Sequence, residues 1–160
     1  MTSWRFSQKK LVMTMLDIRP VSVTEDLLRS PGGLPLILCS SSSRLQRKLE
    51  STGYKKLSIN PLLSKALLGF PADERPDHVE EELRKVLNVS SPVLIEDFEM
   101  LFDPRYQIDV LKLFCEKARF VPIAVRWPGD STPTKLTYAS PEDPDYQEFN
   151  CDKYQIRVVR

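Results

Sequence analysis

Three acidic residues lie close together where a short apolar run ends in the second half of the chain. The run spans residues 93–95, and Glu96, Asp97 and Glu99 follow it. Such a run is typical of a buried strand, and in α/β sheets ligands bind where the strands end. At the end of a Walker B strand one acid holds Mg²⁺ through water and another activates the attacking water, so Glu96, Asp97 and Glu99 are candidate Mg²⁺ ligands and catalytic residues if the chain is an ATPase. The alternative is that the acids are solvated and cap the next element.

A second polar cluster comes after an earlier apolar run, at residues 34–39. In a P-loop the turn after the strand reads G-x-x-x-x-G-K-[ST], because glycines admit the phosphates and lysine balances their charge. This turn has no glycine and no lysine. It predicts either a residual phosphate site or an ordinary serine cap on a helix. The candidate nucleotide-binding residues are Ser40, Ser41, Ser42, Ser43 and Arg44, and we call this segment the serine turn.

The elements that would position these residues alternate between strand and helix. Strands are predicted at residues 34–39, 56–59, 93–95 and 120–125, with weaker candidates at 136–139 and 155–159. Helices are predicted at 4–16, around 27–28, after the serine turn, at 60–68, and from Asp77 and Asp103 onward. This alternation predicts an α/β fold, a P-loop NTPase-like three-layer sandwich with a mostly parallel central sheet.

The chain length predicts a single domain. Its 160 residues fit one P-loop NTPase-like domain, with a helical lead-in at 1–33, a core at 34–127 and a C-terminal extension at 128–160. The three cysteines are far apart in sequence, which favours a reducing compartment, and no apolar run is long enough to span a membrane. We therefore expect a cytoplasmic protein. The single histidine, His78, excludes zinc sites that need two.

Charge is segregated along the chain, although the net charge is only +1. Residues 44–65 are mostly basic, whereas 73–82 and 142–152 are mostly acidic. This pattern favours docking to a partner protein or self-association. DNA contact through Arg44, Arg47 and Lys48 is an alternative, and a solvated surface is another.

Several segments together resemble a known family. The segments that carry the resemblance are Ile59-Asn60, Leu63-Ser64, Leu67-Leu68, residues 93–104, Trp127-Pro128-Gly129 and residues 136–146. With these segments the chain is similar to the BrxF family, the small P-loop proteins of type 3 BREX bacteriophage-defence systems, over roughly residues 34–150.

The resemblance implies a nucleotide-hydrolase fold in a defence system that distinguishes host from phage DNA by methylation. Glu96 matches the family's magnesium-binding acid, Asp97 the neighbouring polar position and Glu99 the following glutamate. The phosphate loop departs from the family, because serines replace its glycines and its lysine.

The function we expect is a BREX subunit that acts by self-assembly or by binding other BREX proteins, without efficient ATP hydrolysis. The alternatives are an ATPase with ATP and Mg²⁺ as cofactors, in which arginine replaces the lysine, and a DNA-contacting adaptor.

Overall fold

A six-stranded parallel sheet forms the centre of the molecule. The computed structural model describes residues 15–29, 33–40 and 42–160. The strands are β1 (Met15–Ile18), β2 (Leu36–Leu38), β3 (Lys55–Ser58), β4 (Val93–Glu96), β5 (Ile123–Arg126), β6 (Asp130–Ser131), β7 (Lys135–Tyr138), β8 (Gln147–Asn150) and β9 (Ile156–Val159). In the central sheet the strands lie in the order β1-β9-β2-β5-β4-β3, and every neighbouring pair is parallel. The predicted α/β class and the mostly parallel sheet are thereby confirmed.

Helices cover both faces of this sheet. Because side chains alternate along a strand, Leu36 and Leu38 face one side of β2 and Ile37 faces the other. The helices are α1 (Glu25–Arg29), α2 (Ser43–Ser51), α3 (Ile59–Leu67), α4 (Arg75–Val86) and α5 (Val110–Ala118). The side of β2 that carries Leu36 and Leu38 packs against α2, and the side that carries Ile37 belongs to the core that α3, α4 and α5 share. This arrangement is compatible with the predicted three-layer sandwich. Among the described residues, no helix combines the length and apolar character that crossing a membrane requires.

A second, smaller sheet lies between β5 and β9 in the chain. It is antiparallel, with the order β6-β7-β8. Directly after β5, Trp127 donates its Nε1–H to the Thr137 carbonyl of β7 at 3.0 Å. The Tyr138 ring stacks on Phe102, with 4.1 Å between centroids. These contacts join the small sheet to the residue that follows β5 and to the turn that follows β4.

Several sequence-based expectations are confirmed. β2 lies inside the sheet, as the uninterrupted apolar run predicts. Gly53 has a φ of +94° just after α2, a conformation that suits glycine and ends the helix. The helix predicted from Asp77 onward forms as α4, and its Val79 and Leu83 are buried, as is Leu87 just after it.

Other expectations are wrong at the ends of elements. The helix predicted from Asp103 starts at Val110, where the Asp109 carboxylate accepts from the Lys112 N–H, because Asp103 pairs with Arg105 instead. α4 begins at Arg75, two residues before the predicted cap at Asp77.

The predicted lead-in and extension both contribute to the central sheet. Within the predicted helix at 4–16, residues 15 and 16 belong to β1, and the other positions lie outside the described residues. β9 pairs with both β1 and β2 and is buried throughout. The chain therefore closes its sheet with segments from its two ends, so the core extends beyond residues 34–127.

Candidate functional site

The candidate residues meet at the carboxyl edge of the central sheet. β5 lies between β2 and β4, and β3 follows on the far side of β4. Because all four strands run in the same direction, the turn after β2, Arg126 of β5 and Glu96 of β4 are at one edge. The connections of β2 and β5 lead to opposite sides of the sheet, and ligands bind at such a switch point in α/β folds.

The serine turn is short and serves mainly to begin α2. Ser42 is the N-cap, and its Oγ accepts from the Leu45 N–H at 3.3 Å. Ser43 and Arg44 are the first two residues of the helix and are exposed. Ser40 is half-buried in the turn, and Ser41 lies outside the described residues. The cap interpretation therefore has a direct structural basis at Ser42.

A guanidinium bridges the strands where the sequence predicts a nucleotide and a metal. Arg126 Nε lies 3.4 Å from Glu96 Oε2, and Arg126 Nη2 donates to Gln46 Oε1 at 2.6 Å. Gln46 belongs to α2, so one side chain ties the helix after the serine turn to the acidic end of β4. The positive charge that Glu96 contacts is thus supplied by the protein itself.

Asp97 has a different partner and a strained backbone. Its φ is +52°, in the left-handed region that non-glycine residues seldom adopt. Its carboxylate accepts from the Ser58 hydroxyl at 2.5 Å, and its carbonyl accepts from the Asn60 N–H at 2.6 Å. These bonds join the ends of β3 and β4 and direct the Asp97 carboxylate toward β3.

Asn60 holds the third carboxylate. Its Nδ2–H donates to Glu99 Oε2 at 3.0 Å, and its Oδ1 accepts from the Met100 N–H at 3.3 Å. The sequence predicts Asn60 as the cap of α3, but the helix begins at Ile59. The side chain is therefore available to bind the 3₁₀ turn Glu99–Phe102 and to orient Glu99.

The small sheet covers part of this edge. Burial raises the pKa of Tyr138, and the negative charges of Glu99, Asp145 and Asp143 raise it further. Burial also raises the pKa of the Cys39 thiol beside the serine turn, although a hydrogen bond with Ser131 of β6 opposes this. Residues of β6 and β7 therefore lie next to both the serine turn and Glu99.

The predicted Mg²⁺ ligands do not converge in this arrangement. Glu96 contacts Arg126, whereas Asp97 contacts Ser58. Across the described ranges, no group of three or more histidine, cysteine or acidic side chains is placed to hold a metal. The carboxylates at this edge thus have separate protein partners: Arg126 for Glu96, Ser58 for Asp97 and Asn60 for Glu99.

Sequence reasoning misses Arg126, Gln46 and Asn60. Arg126 follows the buried residues of β5 just as Glu96 follows those of β4. A polar residue directly after an apolar run is therefore the signal that would have found it. Gln46 and Asn60 carry no comparable signal, because their roles depend on which strands become neighbours.

Comparisons with known proteins identify no relative. Neither protein-family models, curated proteins nor solved structures give a match to this chain. Its function is therefore inferred from its own geometry and from the sequence resemblance.

We expect the Arg126–Glu96 pair to contribute measurably to stability. In a double-mutant cycle with Arg126→Gln and Glu96→Gln, the coupling free energy should be about 1 kcal/mol, because the two side chains are only 35% and 22% exposed. Urea denaturation of the four proteins measures it.

The pair Arg84–Glu80 on α4 is the matched control, since its side chains are 55% and 61% exposed. Its coupling should stay below about 0.5 kcal/mol. Equal couplings for the two pairs would contradict the role given to Arg126.

Proposed function

We propose that this chain is a P-loop-like subunit of a BREX phage-defence system, one that acts by binding proteins and does not hydrolyse ATP efficiently. The observation that supports inefficient ATP hydrolysis is the Arg126 bridge. A side chain of the protein links Glu96 to α2 across the edge where a phosphate and its metal would lie. The BREX assignment rests on the sequence resemblance alone.

The serine turn supports the same conclusion. A triphosphate needs backbone N–H groups that surround it and a lysine that offsets its charge. Here the turn lacks both glycine and lysine, and the Ser42 hydroxyl is already used as a helix cap. Binding Mg-ATP would therefore require Arg126 to release Glu96 without any lysine taking over the phosphate charge.

One observation favours the alternative, an ATPase. Asn60 holds the Glu99 carboxylate by a 3.0 Å hydrogen bond, which keeps a candidate base in one orientation at the sheet edge. Arg44 is exposed in the first turn of α2 and would be the cation available to replace the lysine. In this alternative Glu99 would activate the attacking water.

Hydrolysis assays on the wild type and Glu99→Gln test the proposal. We expect both proteins to release phosphate from Mg-ATP at the rate of the protein-free blank. Glu99→Gln keeps the size of the side chain and an oxygen that can accept from Asn60, but it removes the negative charge and with it the capacity to accept a proton. Turnover in the wild type that the variant loses by 100-fold or more would establish the ATPase.

Co-purification tests the partner half of the proposal. The tagged chain, expressed with the other components of a type 3 BREX system, should retain at least one of them through washing. Failure to retain any of them, with the chain folded and in excess, would count against a BREX subunit.

A further inference from the structure

The segment from residue 44 to residue 65 carries exposed cations that have no side-chain partner among the described residues. Six of the seven charged residues between positions 43 and 65 are basic. Lys48 donates to the Val23 carbonyl at 2.6 Å, but the other five are exposed and form no side-chain hydrogen bond or ion pair with any described residue. We call these five the basic surface: Arg44, Arg47, Lys55, Lys56 and Lys65.

Two of these cations, Lys55 and Lys56, lie on the open edge of the central sheet. β3 is the last strand and pairs only with β4 in the described chain. Because side chains alternate, Lys56 lies on the α2 face of β3, and Lys55 lies with Leu57 on the α3 face. Lysines on an edge strand disfavour pairing with an identical strand and favour an acidic partner.

Exposed apolar side chains lie beside these cations. Leu62 and Leu68, on and just after α3, are 48% and 69% exposed. They are two of the three large apolar side chains that are exposed in the described residues, and Lys65 lies between them in sequence. The surface thus combines charge with apolar area, as an interface between proteins does.

The small sheet carries the opposite charge. Six of the seven charged residues between positions 128 and 152 are acidic, and the exception, Lys135, forms an ion pair with Glu148. No ion pair in the described chain joins this region to the basic surface. We call the remaining acids the acidic surface: Asp130, Glu142, Asp143, Asp145 and Asp152.

We propose that the basic surface binds the acidic surface of a second copy of this chain. The small sheet follows β5 at the carboxyl edge and leads to β9, whereas β3 lies at the far end of the central sheet. Each copy therefore presents the lysines of the edge strand β3 and the acids of the small sheet at different places, which gives a head-to-tail contact. The net charge of +1 leaves little overall repulsion between copies. This inference rests on the proposed function, since it names a partner for an assembling subunit.

Light scattering on the intact chain tests the proposal by charge inversion. The wild type should exceed the mass of one chain in about 0.1 M salt and return to it in about 1 M salt, where the Debye length falls from about 10 Å to about 3 Å. Lys55→Glu with Lys56→Glu should weaken association at least tenfold at the lower salt concentration. Glu142→Lys with Asp145→Lys should do the same.

The decisive sample is an equimolar mixture of the two double variants. In the mixture the two inverted surfaces carry opposite charges, and so do the two unchanged surfaces, so the mixture should associate although each variant alone does not. Lys112→Glu with Arg119→Glu, on and next to α5, is the control. It changes the net charge by the same amount as Lys55→Glu with Lys56→Glu but lies outside both surfaces, so it should associate like the wild type. Circular dichroism confirms that the variants fold.

Three results would overturn the proposal. They are a wild type that stays monomeric at high protein concentration in low salt, double variants that associate like the wild type, and a mixture that fails to associate. If the wild type is a monomer that binds duplex DNA, and Lys55→Glu with Lys56→Glu abolishes that DNA binding, the basic surface binds nucleic acid instead. ATP hydrolysis on the same samples separates the two proposals: turnover overturns the proposed function, whereas a monomer without turnover overturns only the self-docking.

Discussion

Phe102→Ala is expected to lower the free energy of unfolding by about 3–5 kcal/mol. The Phe102 side chain is fully buried. Its ring contacts the rings of Trp127, just after β5, and Tyr138, in the small sheet. Its centroid lies 5.7 Å from that of Trp127 and 4.1 Å from that of Tyr138. Loss of the ring removes packing between the turn that holds Glu99 and the small sheet.

Urea denaturation measures this loss, and Phe120→Ala is the matched control. Phe120 is 81% exposed, so its removal should change the free energy of unfolding by no more than about 0.5 kcal/mol. A loss below about 1 kcal/mol for Phe102→Ala would contradict the packing described for the small sheet.

Gly129→Ala is expected to lower the free energy of unfolding by about 3 kcal/mol, the upper end of the range for overpacked cores. A Cβ at this position would lie 1.9 Å from the Thr137 carbonyl oxygen and 2.9 Å from the Tyr138 Cα. These are backbone atoms and cannot rotate away, so β7 would have to move. That movement would disrupt the 3.0 Å bond from Trp127 Nε1 to Thr137 and the stacking of Tyr138 on Phe102.

Near-ultraviolet circular dichroism, which reports the packing of the aromatic rings, and urea denaturation together test this prediction. Gly69→Ala is the control, because its Cβ would meet the Ala66 carbonyl at an ordinary 3.5 Å. The free energy of unfolding of that variant should lie within about 0.5 kcal/mol of the wild-type value. If Gly129→Ala were equally harmless, β7 would not pass as close to Gly129 as the structure has it.

The central layers were predictable because their signals are local. Uninterrupted apolar runs predict β2 and β4, and helical spacing predicts the buried face of α4. β6 and β8 carry no such signal, since both are short and mostly polar, and only Phe149 of β8 is buried. They form because Trp127 and Phe102 provide a surface for the small sheet, which is a tertiary effect.

At the amino end of the chain the prediction fails for a different reason. Met15 and Leu16 fit a helical pattern with Leu11, but in the structure they belong to β1 and pair with β9. Two adjacent apolar residues occur both in helices and in strands that are buried on both faces. The choice between helix and strand here depends on β9, more than 130 residues later in the chain.

The candidate site was only partly predictable. The acids after β4 lie at the carboxyl edge, as their position after an apolar run indicates. Their partners depend on the strand order, which places Arg126 next to Glu96, and Ser58 and Asn60 next to Asp97 and Glu99. The roles of Glu96, Asp97 and Glu99 toward magnesium and ATP stay predictions.

Calorimetric titration of the wild type with Mg-ATP tests the central claim most directly, namely that the Arg126 bridge and the lysine-free serine turn leave no favourable place for a triphosphate. We predict a dissociation constant weaker than about 100 μM, which corresponds to a binding free energy less favourable than about −5.5 kcal/mol. Saturable binding tighter than this would contradict the claim.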